Sequence, residues 1–381
     1  MKFVLFYHSL VSCWNHGNAH FLRGISRELI RLGHQVTICE PANGWSRRNA
    51  LTAGGAAVLA EAAGLVPGVH LNVYDIDSLE PERVLDGADV VIVHEWNETH
   101  IVAKLGEQRS KGGRFLLLFH DTHHRAVTAA QEISRFPLEH FDAILAFGEV
   151  LRQVYLDCGW GRRAFTWHEA ADVGLFKPHP EVEKDGDAIW IGNWGDGERD
   201  RELHDYLVRP VLQAGLKARL YGVRYPQQTI ERLSADGFEY GGWLPNHRVP
   251  RAFARARMTM HIPRRPYVDA LTGIPTIRVF EALACGIPLV CAPWDDTEGL
   301  FPEGSYLKVR SGEEATAALR LLAKDRTVAS HLAASGLQAI AGRHTCGHRA
   351  QELLAIIRML RPGIVAARGD LPRELIGAAV P

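Results

Sequence analysis

Apolar and polar positions alternate along this chain in two long passages that follow one pattern. Residues 3–7 form a short apolar run that predicts a buried strand, and after a polar loop Phe21, Leu22, Ile25, Leu29 and Leu32 recur at helical spacing. Gly33 ends that helix, and residues 36–39 return to strand. The result is a β-α-β unit, the repeating piece of a parallel sheet covered by helices. Further strands are predicted over 69–74, 90–93, 115–119 and 143–147. From Asp172 to Gly186 the pattern breaks into DVGLFKPHPEVEKDG, rich in proline, glycine and charge, as a domain connection is. Alternation then restarts with strands over 188–191, 218–221, 258–262 and 289–291 and helices over 201–214, 315–322, 329–341 and 349–360. The fold class expected is α/β, with two doubly wound parallel-sheet domains.

In open α/β sheets ligands bind beyond the carboxyl ends of the strands, so residues following each strand are the place to look for chemistry. Here they are polar. One strand runs into His94 and Glu95, another into His120 and Asp121, a third into Pro263, Arg264 and Arg265. The first runs into HSLVSCWNHGNAH, where Gly17 permits close backbone approach and Asn18 is the expected N-cap, leaving a positive helix end toward a ligand. An ordinary capped helix is the alternative, since G-x-G-x-x-G is absent. The run HDTHH at 120–124 matches no zinc spacing, and an imidazole there suits a hydrogen-bond partner or proton mediator better than a ligand. Asp75 and Asp77 read as a turn before a helix rather than as a metal pair. No metal site is expected.

One helix holds two charges in an almost wholly apolar run, GIPTIRVFEALACGIPLVCAPW from Gly273 to Trp294. Pro275 suits its first turn and Gly286 its end, giving a helix over 276–285 buried nearly all round. An exposed Arg278–Glu281 pair would contribute only about 0.2–0.5 kcal/mol. Burying both calls for outside partners. Glu281 suits vicinal hydroxyls, as acidic residues do for ribose, while Arg278 and the helix N-terminus suit phosphate.

Charge adds an exclusion. With 43 Lys+Arg against 44 Asp+Glu, the chain has no general attraction for nucleic acid or anionic lipid, so no nucleic-acid partner is expected. No stretch approaches the ~20 apolar residues of a membrane span, and the chain enters a strand at once without a signal peptide's apolar core, so a cytoplasmic location is expected. The six cysteines show no paired spacing and read as small buried hydrophobes. Trp14, Trp45, Trp96 and Trp194 fall near predicted loops, where an indole stacks on a sugar ring or is simply partly buried core.

The stretch RRPYVDALTGIPTIRVFEALACGIPLV resembles the donor-sugar motif of GT-B glycosyltransferases, in the retaining group that includes sucrose and glycogen synthases. AADVGLFKP from Ala170, GNWGD from Gly192 and LFHD from Leu118 resemble other family phrases in the same order. SCWNHGNAHFLRGISRELIRLGH and IPTIRVFEALACG look closest to CgeB-like bacterial members, enzymes of polysaccharide or glycoconjugate synthesis. The resemblance implies two Rossmann-like domains facing across a cleft: an acceptor-side domain over 1–170, a linker over 171–187, a nucleotide-sugar domain over 188–345, a helix over 346–361 returning to the first domain, and a tail over 362–381. It implies transfer of a sugar from a nucleotide-diphosphate sugar to an unknown acceptor, with retention and without metal or other cofactor.

By the same resemblance His120 and Asp121 are catalytic. Gly192, Asn193, Arg264, Arg265, Gly273, Ile274, Thr276, Arg278 and Glu281 hold the donor, with Gly273 to Thr276 supplying backbone donors. His16, Gly17, Asn18, His20, His94 and Glu95 lie at the donor–acceptor junction. Where the family usually has a second glutamate, eight positions before Glu281, this chain has Gly273. A nucleotide-sugar 2-epimerase and a non-catalytic GT-B-like binding protein are the alternatives.

Overall fold

The computed structural model describes residues 1–14 and 17–366. Seven parallel strands make the first sheet: β1 (Lys2–Phe6), β2 (Gln35–Pro41), β3 (His70–Tyr74), β4 (Val90–His94), β5 (Leu116–Asp121), β6 (Ala143–Ala146) and β7 (Ala164–Thr166), in the order β3-β2-β1-β4-β5-β6-β7. Six more make the second: β8 (Gly186–Ile191), β9 (Ala218–Tyr221), β10 (Glu239–Tyr240), β11 (Ala256–His261), β12 (Leu289–Cys291) and β13 (Leu307–Lys308), in the order β10-β9-β8-β11-β12-β13. All pairings are parallel. β4 and β5 are buried along their whole length, as strands covered on both faces must be.

Each sheet reverses its winding beside its first strand, between β1 and β4 and between β8 and β11. Those two switch points open crevices at the strand ends, and both crevices face one interdomain cleft. β7, β10 and β13 went unpredicted: at two or three residues each they are too short to show a period. Of the cysteines, Cys158 is exposed and the other five are buried.

Two chain crossings join the domains. Ala171 pairs with Thr345 in an isolated parallel bridge. The helix Cys346–Leu360 then packs on the helix Asn18–Arg31 of the first domain, and Trp167 donates its indole N–H to the Arg349 carbonyl at 2.9 Å. Thr345 opens that last helix with a capping box closed by His348.

Candidate active site

The cleft has a volume of about 670 Å³, within the range of small-ligand sites. Its second-domain wall begins with the glycine-rich loop after β8. There Gly192 and Asn193 line the cleft, and Arg199 bridges the loop to β11 by donating to the Asn193 carbonyl at 2.9 Å, to its Oδ1 at 2.6 Å and to the Ile262 carbonyl at 2.9 Å. Burial, then nearby Arg264, disfavours the charge on Arg199, and among the described residues its Nε has no hydrogen-bond partner. Arg264 joins this wall, ion-paired to Glu198 and, at 3.4 Å, to Asp196. Arg224 pairs with the same Asp196 at 2.9 Å. Arg265 does not line the cleft: it turns away to the Gly197 carbonyl and to Glu202 at 3.6 Å.

The helix with the buried charges spans Ile277–Ala284, one residue shorter at each end than the sequence suggests, because Thr276 keeps the extended backbone of an N-cap. The Thr276 hydroxyl meets His261 Nε2 at 3.1 Å instead of capping the helix. Arg278 reaches the cleft, but Glu281 does not line it. Glu281 is wholly buried, and its carboxylate accepts from Arg278 and from Asn246 Nδ2 at 2.6 Å. The Asp172 backbone N–H donates to His20 Nε2 at 2.8 Å, which leaves the imidazole proton on Nδ1, 3.3 Å from Glu281 Oε1. Burial raises the Glu281 pKa, but Arg278, His20 and Asn246 outweigh it and hold the carboxyl below its ordinary value. Arg278 and Glu281 thus do bond each other, and the further partners of Glu281 in this structure are His20 and Asn246 rather than the vicinal hydroxyls the sequence reading gave it. Asn246 lines the cleft with its Oδ1 unpartnered among the described residues.

Two donor-loop expectations change. Gly273 donates its N–H to the Asp295 carbonyl at 2.8 Å and Ile274 to the Leu271 carbonyl at 3.3 Å, so neither supplies a backbone donor to the cleft, and neither lines it. Gly273 has φ +91°, and a Cβ there would collide with the Thr297 hydroxyl. A glutamate at 273 is incompatible with this backbone. Ile274 packs instead against Gly148 of the first domain, in the space a Cβ at 148 would fill.

On the first-domain wall, His16 lies outside the described residues. Gly17 and Asn18 line the cleft, but Gly17, not Asn18, is the N-cap, and among the described residues no side chain caps the helix. The close approach Gly17 permits is to the Ile277 side chain across the cleft, which a Cβ would strike. Asn18 lies 3.2 Å from His94 Nε2 through its Nδ2. His94 accepts the Trp96 N–H on Nδ1 at 3.3 Å and meets the Thr122 hydroxyl through Nε2 at 3.0 Å. Glu95 is buried against Arg125 and contributes no surface to the cleft.

His120 and Asp121 also lie behind the wall. Neither is exposed. His120 bonds Tyr7 through Nδ1 at 2.6 Å, and burial pulls its pKa down to about 3, so it is neutral. Asp121 accepts from the Tyr155 hydroxyl at 2.7 Å and the His123 N–H at 2.9 Å, which makes it a brace for the loop that follows. Within this motif the imidazoles that line the cleft are those of His123 and His124. Strand-end logic found the loop, whose cleft-lining residues come just after His120 and Asp121.

Glu169, Asn246 and Arg199 escaped the sequence reading. Glu169 precedes the interdomain phrase, lines the cleft and accepts the Ile277 N–H at the start of the buried-charge helix. Burial first, then the Glu281 charge, pushes its carboxyl up to about 8. Arg199 carried a usable signal, an arginine after a glycine-rich strand-end loop. Glu169 and Asn246 carried none, because folding alone brings them to Glu281.

Residues 201–355 match the family described as glycosyl transferase-like. No curated protein matches the chain. Among solved structures, sucrose-phosphate synthase from Thermosynechococcus elongatus superposes with a TM-score of 0.63 at 16% identity, over 96% of this chain and 100% of that one. Anabaena HepE in complex with UDP-glucose gives 0.62 at 13% identity, over 94% and 100%. T4 phage BGT, a β-glucosyltransferase in complex with its UDP-glucose substrate, gives 0.60 at 12% identity, over 94% and 99%. These likenesses carry the fold, two Rossmann-like domains of the GT-B type, and residues 201–355, within the second domain, are similar to a glycosyl transferase-like family.

Proposed function

We propose that the chain transfers a sugar from a nucleotide-diphosphate sugar to a hydroxyl acceptor, with retention and without a metal, as a cytoplasmic enzyme of the CgeB-like kind. The observation that carries this reading is the gathering of Arg199, Arg264 and Arg278 on one wall of the cleft, beside the N-terminus of the Ile277–Ala284 helix. Such a wall favours the charge of a leaving diphosphate through fixed cations and backbone N–H groups, the work a divalent ion would otherwise do. HepE and T4 phage BGT, of the same fold, are solved with UDP-glucose.

In the proposed step the bond from the sugar's anomeric carbon to the diphosphate oxygen breaks. The acceptor oxygen attacks the same face, and its proton passes to the departing phosphate. Glu281 acts one layer back: it orients Arg278 and Asn246, both of which line the cleft.

The test is thermal stability with UDP, GDP, ADP, CMP, dTDP and their common sugars, with and without EDTA, because a ligand that binds only the native state raises the melting temperature. A selective rise that survives EDTA and is lost in Arg264→Ala is expected. No rise from a folded sample overturns the donor reading, and a rise abolished by EDTA overturns metal independence.

A further inference from the structure

Among the described residues, four histidine–glutamate pairs join the first domain to the second. His168 meets Glu298 at 2.8 Å, His247 meets Glu61 at 2.9 Å and His20 meets Glu281 at 3.3 Å. The fourth stands open: His124 Nε2 lies 3.7 Å from Glu198 Oε2, across the cleft that both residues line. It is open because Glu198 is already engaged. The same oxygen, Oε2, takes the Arg264 guanidinium of its own domain. One carboxylate oxygen thus has an arginine beside it and an imidazole opposite, and it holds only the arginine.

The imidazole is arranged to receive that oxygen. His124 is 4% exposed. The Thr128 hydroxyl donates to the His124 carbonyl at 3.1 Å, so its oxygen accepts from His124 Nδ1 at 2.8 Å and fixes the proton of the neutral ring there. Nε2 is then a bare lone pair, turned toward a carboxylate and, among the described residues, without a hydrogen-bond partner. Two acceptors face each other until a proton comes between them. A proton on Nε2 makes the pair a charge-assisted bond, about 2.7–2.9 Å long, which asks the two atoms to approach by only about 1 Å.

The charges around His124 decide when that proton is held. Burial disfavours it first, Glu198 favours it, and Arg264 and then Arg125 oppose it. Arg125 is itself paired with Glu95 and Glu132. The other titratable neighbours are the rings of His123 at 4.0 Å and Tyr267 at 5.4 Å, and both are neutral, since burial lowers the pKa of His123 well below its ordinary value and raises that of Tyr267 far above. With the carboxylate given to Arg264, His124 stays below the ordinary imidazole value. Arg264 therefore acts twice against the proton, by occupying Glu198 and by its own charge.

We infer that Glu198 exchanges partners when an anionic ligand occupies Arg264: the guanidinium turns to the ligand, the carboxylate turns to His124, and His124 takes one proton from solvent to form a bond across the cleft. Glu198 and His124 are then positioning residues that couple occupancy of the charged wall to a fourth tie between the domains. That the anion is a diphosphate rests on the donor reading above, whereas the exchange itself rests on the two contacts of Glu198 Oε2. The charges balance, because the ligand replaces Glu198 on Arg264 and the imidazolium replaces Arg264 on Glu198. Since the liganded state holds the proton more tightly, binding strengthens as pH falls to the ordinary imidazole value of about 6.5 and below, and loses that contribution as pH rises through it.

The experiment is an NMR pH titration of the full chain carrying nitrogen-15 histidine, in which the His124 signal is the one missing from His124→Gln. Without ligand, Arg264→Ala should raise the His124 midpoint by about one pH unit or more, because Glu198 is released to it. Loss of a cation alone would also raise the midpoint, so the double variant Arg264→Ala, Glu198→Gln decides: exchange requires that the rise disappear there. In the wild type, UDP-glucose should produce the same rise, and its diphosphate, esterified at both ends, brings no titrating proton of its own. Its affinity should increase about threefold or more from pH 7.5 to 5.5, and by markedly less in His124→Gln. An equal rise in the single and double variants overturns the exchange, and so does UDP-glucose that binds and leaves the His124 midpoint in place. If no nucleotide sugar binds while the rise appears in Arg264→Ala and vanishes in the double variant, the donor reading falls and the partner exchange stands.

Discussion

On the second-domain wall of the cleft the polar groups are ions. Arg264 is held by Glu198 and Asp196, and Arg278 by Glu281. On the first-domain wall they are neutral. Burial lowers the pKa of His123 well below its ordinary value and also lowers that of His124, while rings occupy much of the remaining surface. One wall is charged because Arg264 and Arg278 each have a carboxylate to hold them, and the other is uncharged because burial removes the proton. A charged wall selects an anion, and a neutral ring-lined wall selects shape and hydroxyls. The comparison can be attacked from either side.

The largest effect is expected at Glu281, the anchor of the charged wall. Glu281→Ala strands Arg278, Asn246 and His20 around a lost acceptor, and removing one partner of a buried pair costs about 3–5 kcal/mol. The melting temperature should fall by several degrees, while Glu281→Gln, which still accepts from Asn246, should fall less. A melting temperature unchanged in both would show that this wall does not depend on its carboxylate. Two domains need not unfold together, so the second-domain transition is the one to follow.

A smaller effect is expected at Gly273. A non-glycine residue in the left-handed region costs about 1–2 kcal/mol, and a Cβ at this position also meets Thr297. Gly273→Glu, which restores the glutamate usual in the resembling enzymes, should therefore lower the melting temperature and weaken UDP binding. Tighter binding by that variant would mean that the loop can adopt the family geometry after all.

The two walls were not equally legible in the sequence. Arg278 and Glu281 stood out because ionised groups are rare in an apolar helix, and physical chemistry demands a partner for each. Most longer strands announced themselves by apolar runs, which fixed the fold class and the loops that border the cleft. What stayed hidden depends on folded geometry. Nothing local distinguishes His120, sealed behind the wall, from His123 three residues later, which faces the cleft. Gly17 was legible as a close approach, but the surface approached, the Ile277 side chain, comes from the other domain. Trp45 and Trp96 were visible as loop tryptophans, yet their meeting depends on parallel strands bringing distant loops to one edge.

Glu169 is the carboxyl that belongs to neither pattern, because it lines the cleft and yet among the described residues has no cation bonded to it in the manner of Glu198 or Glu281. Its folded pKa of about 8 lies above the ordinary carboxyl value, so the proton is held more tightly in the folded state. The stability this contributes is full below the ordinary value of about 4.3 and is lost as pH rises through about 8. Ionisation over that last interval also places an anion in the cleft beside Glu281. A nucleoside diphosphate has completed its own ionisation by then, near pH 6 for a phosphate's last proton. Tyr7 and Tyr267, the hydroxyls whose fields include Glu169, are raised far above the interval and stay neutral. Burial raises the Glu95 carboxyl as well, but it lies behind the first-domain wall and against Arg125. UDP affinity should therefore fall about fivefold between pH 7 and 9, the size of roughly 1 kcal/mol for two like charges several ångströms apart in a partly solvated site. In Glu169→Gln the fall should be smaller over the same range, what is left of it belonging to Arg199, whose charge burial disfavours, and at pH 9 the affinity should exceed that of the wild type. Calorimetric titration at three pH values measures both, and an equal fall in the two proteins would assign the proton to another group.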